Sequence, residues 1–417
     1  MLGYAKYDHA SKFFQKAKFR PGLWNLIKEN IMSNLPIIEA AKDELTAIFK
    51  DLHQHPELGF TEHRTAGVVA EKLKEYGVDE VHTGIATTGV IGIIKGDNGS
   101  RRVGLRADMD ALPIDELTNL DYSSKTPGVM HACGHDGHTT MLLGAAKHLS
   151  KTRNFKGTAV LIFQPAEEGL GGARGMLADG LFERFPCDEI YGLHNTPNGK
   201  PGTVGICKGT AMAGASFFDI TIQGKGSHAA MPHQSRDPLV IASDLVGSIQ
   251  TILSRNIAPL ETCVLSVTQI HSGSAYNIVP DAATLAGTIR YFKQEIFDIA
   301  DSRMRELCSG FAAAYGVDIT LDNRKTFDVL VNDEELSDAY LEAAEDIVGK
   351  DNISGTQEPA TGSEDFADML NVVPGAYCRI GHSGTTGLHN PGFFLDPDIL
   401  PIGASVMARI VERRLSG

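Results

Sequence analysis

Three imidazoles, one thiol and one carboxylate fall within eight residues in His131-Ala-Cys133-Gly-His135-Asp136-Gly-His138. Side chains this close in sequence can converge on one point if the chain turns sharply, and Gly134 and Gly137 are read as the residues that let it turn. The cluster is too polar for core packing, so its simplest reading is a metal site; a surface loop rich in His is the alternative. Three further places supply donors of the same kinds. These are the pair Glu167-Glu168, His194 in Gly192-Leu-His-Asn195, and His389 in Gly387-Leu-His-Asn-Pro391. Cys133, His135, one of the two glutamates, His194 and His389 make five ligand-type side chains. One catalytic zinc takes three protein ligands and a structural one takes four. Five donors that include a shareable thiolate or carboxylate fit two ions, about 3.5–4 Å apart in such sites. The mixture disfavours Mg²⁺ and Ca²⁺ and suits Zn²⁺, Mn²⁺, Fe²⁺, Co²⁺ or Ni²⁺. Such an ion lowers the pKa of water towards 7, and the glutamate that does not bind metal is placed to take the proton. A solvated acidic turn is the other reading of Glu167-Glu168; Gln164-Pro165 before it and the glycines after it argue for a rigid functional loop.

The elements that must hold these groups alternate between strand and helix. Apolar residues recur at helical spacing from Pro36 to Leu52. Thr61 to Tyr76 reads as a helix with Thr61 as N-cap and Gly77 beyond its end. Val90–Ile94 and Arg102–Arg106 read as buried strands of a hairpin turning at Asp97-Asn-Gly99. Thr139–Ser150 is expected to be helical and Gly157–Phe163 and Glu189–Leu193 to be strands, with Glu167-Glu168 and His194 just past strand ends. This is an open α/β sheet with its site along the carboxyl edge. From about residue 212 the pattern becomes β-α-β-β-α-β: strands at Ala215–Gln223, Thr262–His271, Ala283–Tyr291 and Val317–Leu321, helices at Asp237–Leu253 and Lys293–Tyr315. That is the ferredoxin-like order. Helices at Asp333–Val348 and Pro401–Arg414 resume the first pattern. The expected organisation is an N-terminal extension over residues 1–31, a discontinuous metal-binding catalytic domain over 32–211 and 326–417, and an inserted lid or dimerisation domain over 212–325.

The 417 residues exceed one compact core, and 42% hydrophobic with 22% charged is a globular composition. No apolar run spans a bilayer. The net charge of −14 argues against nucleic acid as a partner. Six cysteines (133, 187, 207, 263, 308, 378) follow no framework spacing and no secretory signal precedes them, which reads as reduced thiols in a cytoplasmic protein, all but Cys133 buried in packing. Residues 1–31 carry six Lys/Arg against two acids, with Phe13, Phe14, Phe19 and Trp24. A membrane-touching or targeting helix, an arm docked on the body, and a start upstream of Met32 are the alternatives there.

Taken together, Leu52-His-Gln-His-Pro-Glu-Leu58, Leu105-Arg-Ala-Asp-Met-Asp-Ala-Leu-Pro113, the His131–His138 octet, Phe163-Gln-Pro-Ala-Glu-Glu168, Gly192–Asn195, Gly224-Lys-Gly-Ser-His-Ala-Ala230 and Leu388-His-Asn-Pro391 resemble the M20 family of metallopeptidases and amidohydrolases. The branch they resemble contains the hippurate, indole-acetyl-amino-acid and N-acyl-amino-acid hydrolases. The resemblance spans about residues 50–415 in the family's order. It implies Cys133, His135, Glu168, His194 and His389 as ligands of a two-metal site, with Glu167 as general base. The wider family's upstream His-x-Asp pair reads Asp108-Met-Asp110 here, so that metal His is absent; Asp108 is not taken as a ligand, and Asp110 is a candidate to orient a ligand imidazole. His228 corresponds to the family's His that reaches a partner subunit's site, in an oxyanion role. Asn277 and Arg290 are candidates to hold the substrate's carboxylate, Arg through its bidentate fork; a turn residue and a surface strand residue are the plain readings. The activity implied is hydrolysis of an N-acyl amino acid to a carboxylate and a free amino acid by a homodimer. Dipeptidase and N-acetyl-diaminopimelate deacetylase activities are alternatives, as is a binding protein on a retired peptidase fold, whose mark would be loss of Glu167 or of ligands.

Overall fold

The computed structural model describes residues 33–416, so the N-terminal extension lies outside it. An eight-stranded sheet runs in the order Glu80–Ile85, Gly89–Lys95, Lys156–Gln164, Asp97–Asp108, Glu189–Thr196, Gly375–Gly381, Val204–Gly205, Ile353–Ser354. The middle four strands are parallel to one another. Parallel strands are buried on both faces, and here Val103–Asp108, Ala159–Gln164, Glu189–Leu193 and Gly375–Cys378 are buried without alternation, charged Arg106 and Asp108 included. One face packs Val103, Leu105, Leu161 and Phe163 against helices Lys42–Gln54, His135–Thr152 and Leu400–Arg414. The other packs Ile91, Val160, Ile162 and Ile190 against Met176, Phe366 and Met369.

The expected hairpin does not form. Lys156–Gln164 lies between Gly89–Lys95 and Asp97–Asp108, antiparallel to the first and parallel to the second. The amides at the proposed turn bond elsewhere: Gly96 N–H donates to Gly157 O at 2.9 Å and Asp97 N–H to Phe155 O at 2.8 Å. Strands that are apolar on both faces carry no alternation to say which neighbour they pair with. Thr61 is also not an N-cap; its hydroxyl donates to Leu58 O. The helix is His63–Tyr76, and Glu57 accepts from the free amides of Arg64 and Thr65 at 3.0 and 2.8 Å. Gly77 ends it in the left-handed conformation as expected. The helix expected at Thr139 begins at His135, so half of the octet lies on its first turn.

The second sheet has the order Cys263–Ser272, Ala282–Tyr291, Gly214–Gln223, Asp318–Phe327 and is antiparallel throughout. Helices Pro238–Arg255 and Gln294–Tyr315 supply Ile241, Leu245, Ile249 and Met304 to its core with Phe218, Ile220, Leu285 and Ile289. This is the β-α-β-β-α-β order read from the spacing. Its last strand runs to Phe327, past the expected Leu321 and past residue 325; an edge strand open to solvent tolerates Asp322-Asn-Arg-Lys, which reads as loop. Among the described residues no helix is long and apolar enough to cross a membrane. All six cysteines are free; Cys308 and Cys378 are buried as expected, while Cys187, Cys207 and Cys263 are only partly so because they sit near element ends.

Candidate metal centre

The carboxyl ends of the parallel strands deliver the chemistry. Cys133 closes the loop before helix His135–Thr152, and His135 is that helix's first residue. Gly134 between them has φ 93°, and a Cβ there would strike the Asn195 side chain. Gly137, expected to help the turn, is inside the helix instead; its hydrogen makes room for Leu395, whose Cδ1 stands 2.7 Å from where a Cβ would be. Glu167 and Glu168 follow strand Lys156–Gln164, in a turn where Ala166 takes φ 55°. A left-handed alanine costs about 1–2 kcal/mol, and buried Glu62 holds it by accepting from Ala166 N–H at 2.8 Å. His194 lies within strand Glu189–Thr196 rather than beyond it. His389, with φ 58°, is tied back by its N–H to Ala132 O at 2.8 Å.

All five expected ligand side chains meet. Cys133, His135 and His194 form one group of donor atoms within 4.8 Å of one another, and Cys133, Glu168 and His389 form another. Cys133 belongs to both. Its Sγ is 3.4 Å from His194 Nε2, and Glu168 Oε1 is 3.2 Å from His389 Nε2 and 4.0 Å from His135 Nε2. Second bonds aim the imidazoles. His135 Nδ1 is 2.9 Å from Asp110 O, and His194 Nδ1 is 2.6 Å from Asn195 O, so each ring donates there and turns a bare Nε2 to the cluster. Asp110 touches both sides: Oδ1 is 3.2 Å from His135 Nδ1, and Oδ2 accepts from Glu168 N–H at 3.0 Å.

Two atoms make the fit to metal specific. His135 Nε2 and Glu168 Oε1 are buried and have no hydrogen-bond partner. Buried polar atoms are rarely left so, and soft and hard donors aimed at one space are what a transition-metal ion satisfies. Glu167 is buried beside them, its carboxyl within 4.8 Å of donor atoms of both His135 and Glu168. Burial, then Glu364, Glu168 and Asp365, push its pKa well above the ordinary carboxylate range. His389 is exposed, which leaves the cluster open on that side.

Behind the cluster lies a network that the sequence reading left without roles. Asp108 Oδ1 is 2.6 Å from His138 Nδ1, and its Oδ2 accepts from Arg106 at 2.8 Å. Both oxygens are engaged, and Asp108, which the sequence reading left out of the ligands, also stands with His135 and His138 in a further group of donor atoms within 4.8 Å of one another. Fully buried Arg106 also pairs with Glu364 and Asp365 at 2.8 and 3.2 Å. His138 Nε2 accepts from Asn195 N–H at 3.0 Å. Arg106, Asp108 and His138 stand in the quoted motifs, a signal that was present; Glu364-Asp365 carried none.

The other candidates lie on the second sheet's side. His228 and Asn277 are exposed neighbours: His228 pairs with Ile278, and Ala229 N–H donates to Asn277 O at 3.0 Å. Arg290 is half-buried, its guanidinium 5.4 Å from the Phe217 ring centroid. None of the three makes a hydrogen bond or ion pair with the five ligand-type residues.

The model of peptidase family M20/M25/M40 matches residues 104–413. The chain belongs to that family. Within the M20 group it is 40% identical to the hippurate hydrolase of Campylobacter jejuni over 92% of this chain and all of that protein. It is 38% identical to an N-acetylcysteine deacetylase of Bacillus subtilis, covering 87% of this chain and 94% of the relative. Among solved structures, a dinuclear metal-binding M20 peptidase from Bacillus subtilis superposes with a TM-score of 0.78 at 34% identity, covering 90% of this chain and 99% of that one.

Proposed function

We propose that this M20 chain is a metal-dependent amidohydrolase that cleaves N-acyl amino acids to a carboxylate and a free amino acid. The observation that carries the reading is the pair of ligand groups sharing Cys133, with unpartnered His135 Nε2 and Glu168 Oε1 facing them and Glu167 alongside. Cys133, His135, Glu168, His194 and His389 would hold two divalent transition-metal ions, Mn²⁺, Zn²⁺, Co²⁺, Ni²⁺ or Fe²⁺. Bound there, such ions acidify water and polarise an amide carbonyl. Glu167 does the proton work: its raised affinity suits it to take a proton from water and return it to the leaving nitrogen. Asp110 orients His135 and the Glu168 backbone. That Glu167 and all five ligand side chains are present stands against a retired binding protein. Names of relatives also support N-acyl substrates over dipeptides, although two relatives at 37% identity are called carboxypeptidases.

The inserted unit over about residues 212–325 is read as a lid and dimerisation module. Strand Cys263–Ser272 is an open edge exposing Val264 and Ile270, and Leu239 and Val240 are exposed on the helix beside it. An unpaired apolar edge favours pairing with a second copy. His228, remote from its own cluster's contacts, would then serve the partner's site as an oxyanion donor, with Asn277 and Arg290 holding the substrate carboxylate. Six free thiols support a reducing, cytoplasmic setting.

The deciding experiment is release of free amino acid from a panel of benzoyl-, acetyl- and indole-acetyl-amino acids and dipeptides, by metal-stripped and metal-reloaded protein. Turnover of dipeptides alone, or none after reloading, would overturn the reading.

A further inference from the structure

The motif Leu52–Leu58 has no part in the chemistry above, yet its His53 is 2% exposed and bonded through both ring nitrogens. His53 Nδ1 is 2.6 Å from Asp136 Oδ2, and Nε2 is 3.4 Å from Glu116 Oε1. Among the described residues neither carboxylate has another basic partner, so one imidazole holds two buried acids.

Each acid leads to a different half of the metal centre. Asp136 follows His135 on the helix's first turn, and its Oδ1 accepts from Gly137 N–H at 2.8 Å, fixing that turn. Glu116 leads to His389. Its Oε2 accepts from Ser124 N–H at 2.6 Å, its Oε1 from the Thr118 hydroxyl, and these shape the loop it sits on. The next residue, Leu117, donates its N–H to Pro391 O at 2.8 Å, two residues beyond His389. Leu117's own side chain is 68% exposed, so what the loop offers here is its backbone.

We propose that His53 is a positioning residue of the metal centre, a clamp between the turn that carries His135 and the loop that carries His389. It rests on the reading of the cluster as a metal site. Removing the clamp loosens His389 most, because His135 is also held by its helix and by Asp110, whereas the His389 loop depends on the Leu117 contact and on Ala132.

The test titrates metal-stripped wild type and variants with Mn²⁺ and with Zn²⁺ against a chelating dye, and measures the melting temperature with and without metal. His53→Asn places an amide nitrogen near Nδ1 and keeps the Asp136 bond while losing Glu116; His53→Gln does the reverse. Leu117→Pro, at an exposed side chain, removes the N–H given to Pro391, along with fixing φ at 117 and restricting the backbone of Glu116, and serves if the His53 variants fail to fold. For wild type, two ions per chain are expected. His53→Asn and Leu117→Pro should bind one ion with wild-type affinity and the other about 10–100-fold more weakly, the range for losing an outer-shell partner. His53→Gln should be milder for that ion, and the metal-induced rise in melting temperature should shrink in step. Folded variants that bind both ions like wild type overturn the proposal. So does a fall in metal-free melting temperature with both affinities unchanged, which marks a structural role alone. A folded wild type that takes up no ion overturns the metal reading itself, and is told apart because the failure precedes any substitution.

Discussion

Cys133 Sγ stands 3.4 Å from His194 Nε2, and the same sulfur is within reach of Glu168 and His389 on its other side. A sulfur so placed is common to both ligand groups, while each imidazole serves one. Cys133→Ala should therefore lower affinity for both ions, and His194→Ala for one. Elemental analysis after dialysis against a weak chelator separates them; a Cys133→Ala protein that retains one tightly held ion would show that the sulfur is not shared.

The glutamate pair divides differently. Glu168 Oε1 is the buried, unpartnered oxygen facing His135 and His389, and Glu167 is set among carboxylates that raise its proton affinity. Glu167→Gln should cost at least about 10²–10⁴-fold in kcat, as for loss of a general base, with metal content near normal. Glu168→Gln should lower metal content first. Exchanged phenotypes would reverse the roles.

His53 links stability to pH. Burial alone would lower its pKa, but Asp136 and Glu116 outweigh that and raise it from 6.5 to about 9. Of the other groups near the ring, His131 is driven by burial down to about 4 and stays neutral, and Tyr122 is pushed up, so neither adds charge. A raised folded-state pKa means stability that is fully present below 6.5 and lost as pH rises through about 9. Glu116, lowered from 4.5 to about 2, contributes above 4.5 and loses that as pH falls through about 2. The melting temperature of metal-free wild type should exceed that of His53→Gln most between pH 4.5 and 6.5, and the gap should narrow beyond about 9. A gap constant across that range would mean the imidazole is held neutral.

If His228 acts across a dimer, inactive Glu167→Gln and inactive His228→Ala chains should complement. Mixed dimers carry one site in two with both residues intact, so activity should return on subunit exchange. No recovery despite exchange shown by mass would place His228 in its own chain's site or outside the reaction.

The residue types and their order settle much of this protein before any folding is considered. Cys133, His135, the glutamate pair, His194 and His389 are legible as candidates because few other reasons gather such donors into short polar motifs, and the second unit's β-α-β-β-α-β order is legible because amphipathic strands and helices print their periods on the chain. Tertiary structure decided what periodicity does not encode. Strands Gly89–Lys95 and Asp97–Asp108 are, over Gly89–Ile94 and Val103–Asp108, buried on both faces, so only the completed sheet shows Lys156–Gln164 lying between them. Arg106 meets Glu364 and Asp365 some 258 residues away, and His53 meets Asp136 and Glu116. Carboxylates that pair over such distances look like any other acid in the sequence, because burial and a partner are what give them meaning, and both exist only once the chain has closed around them.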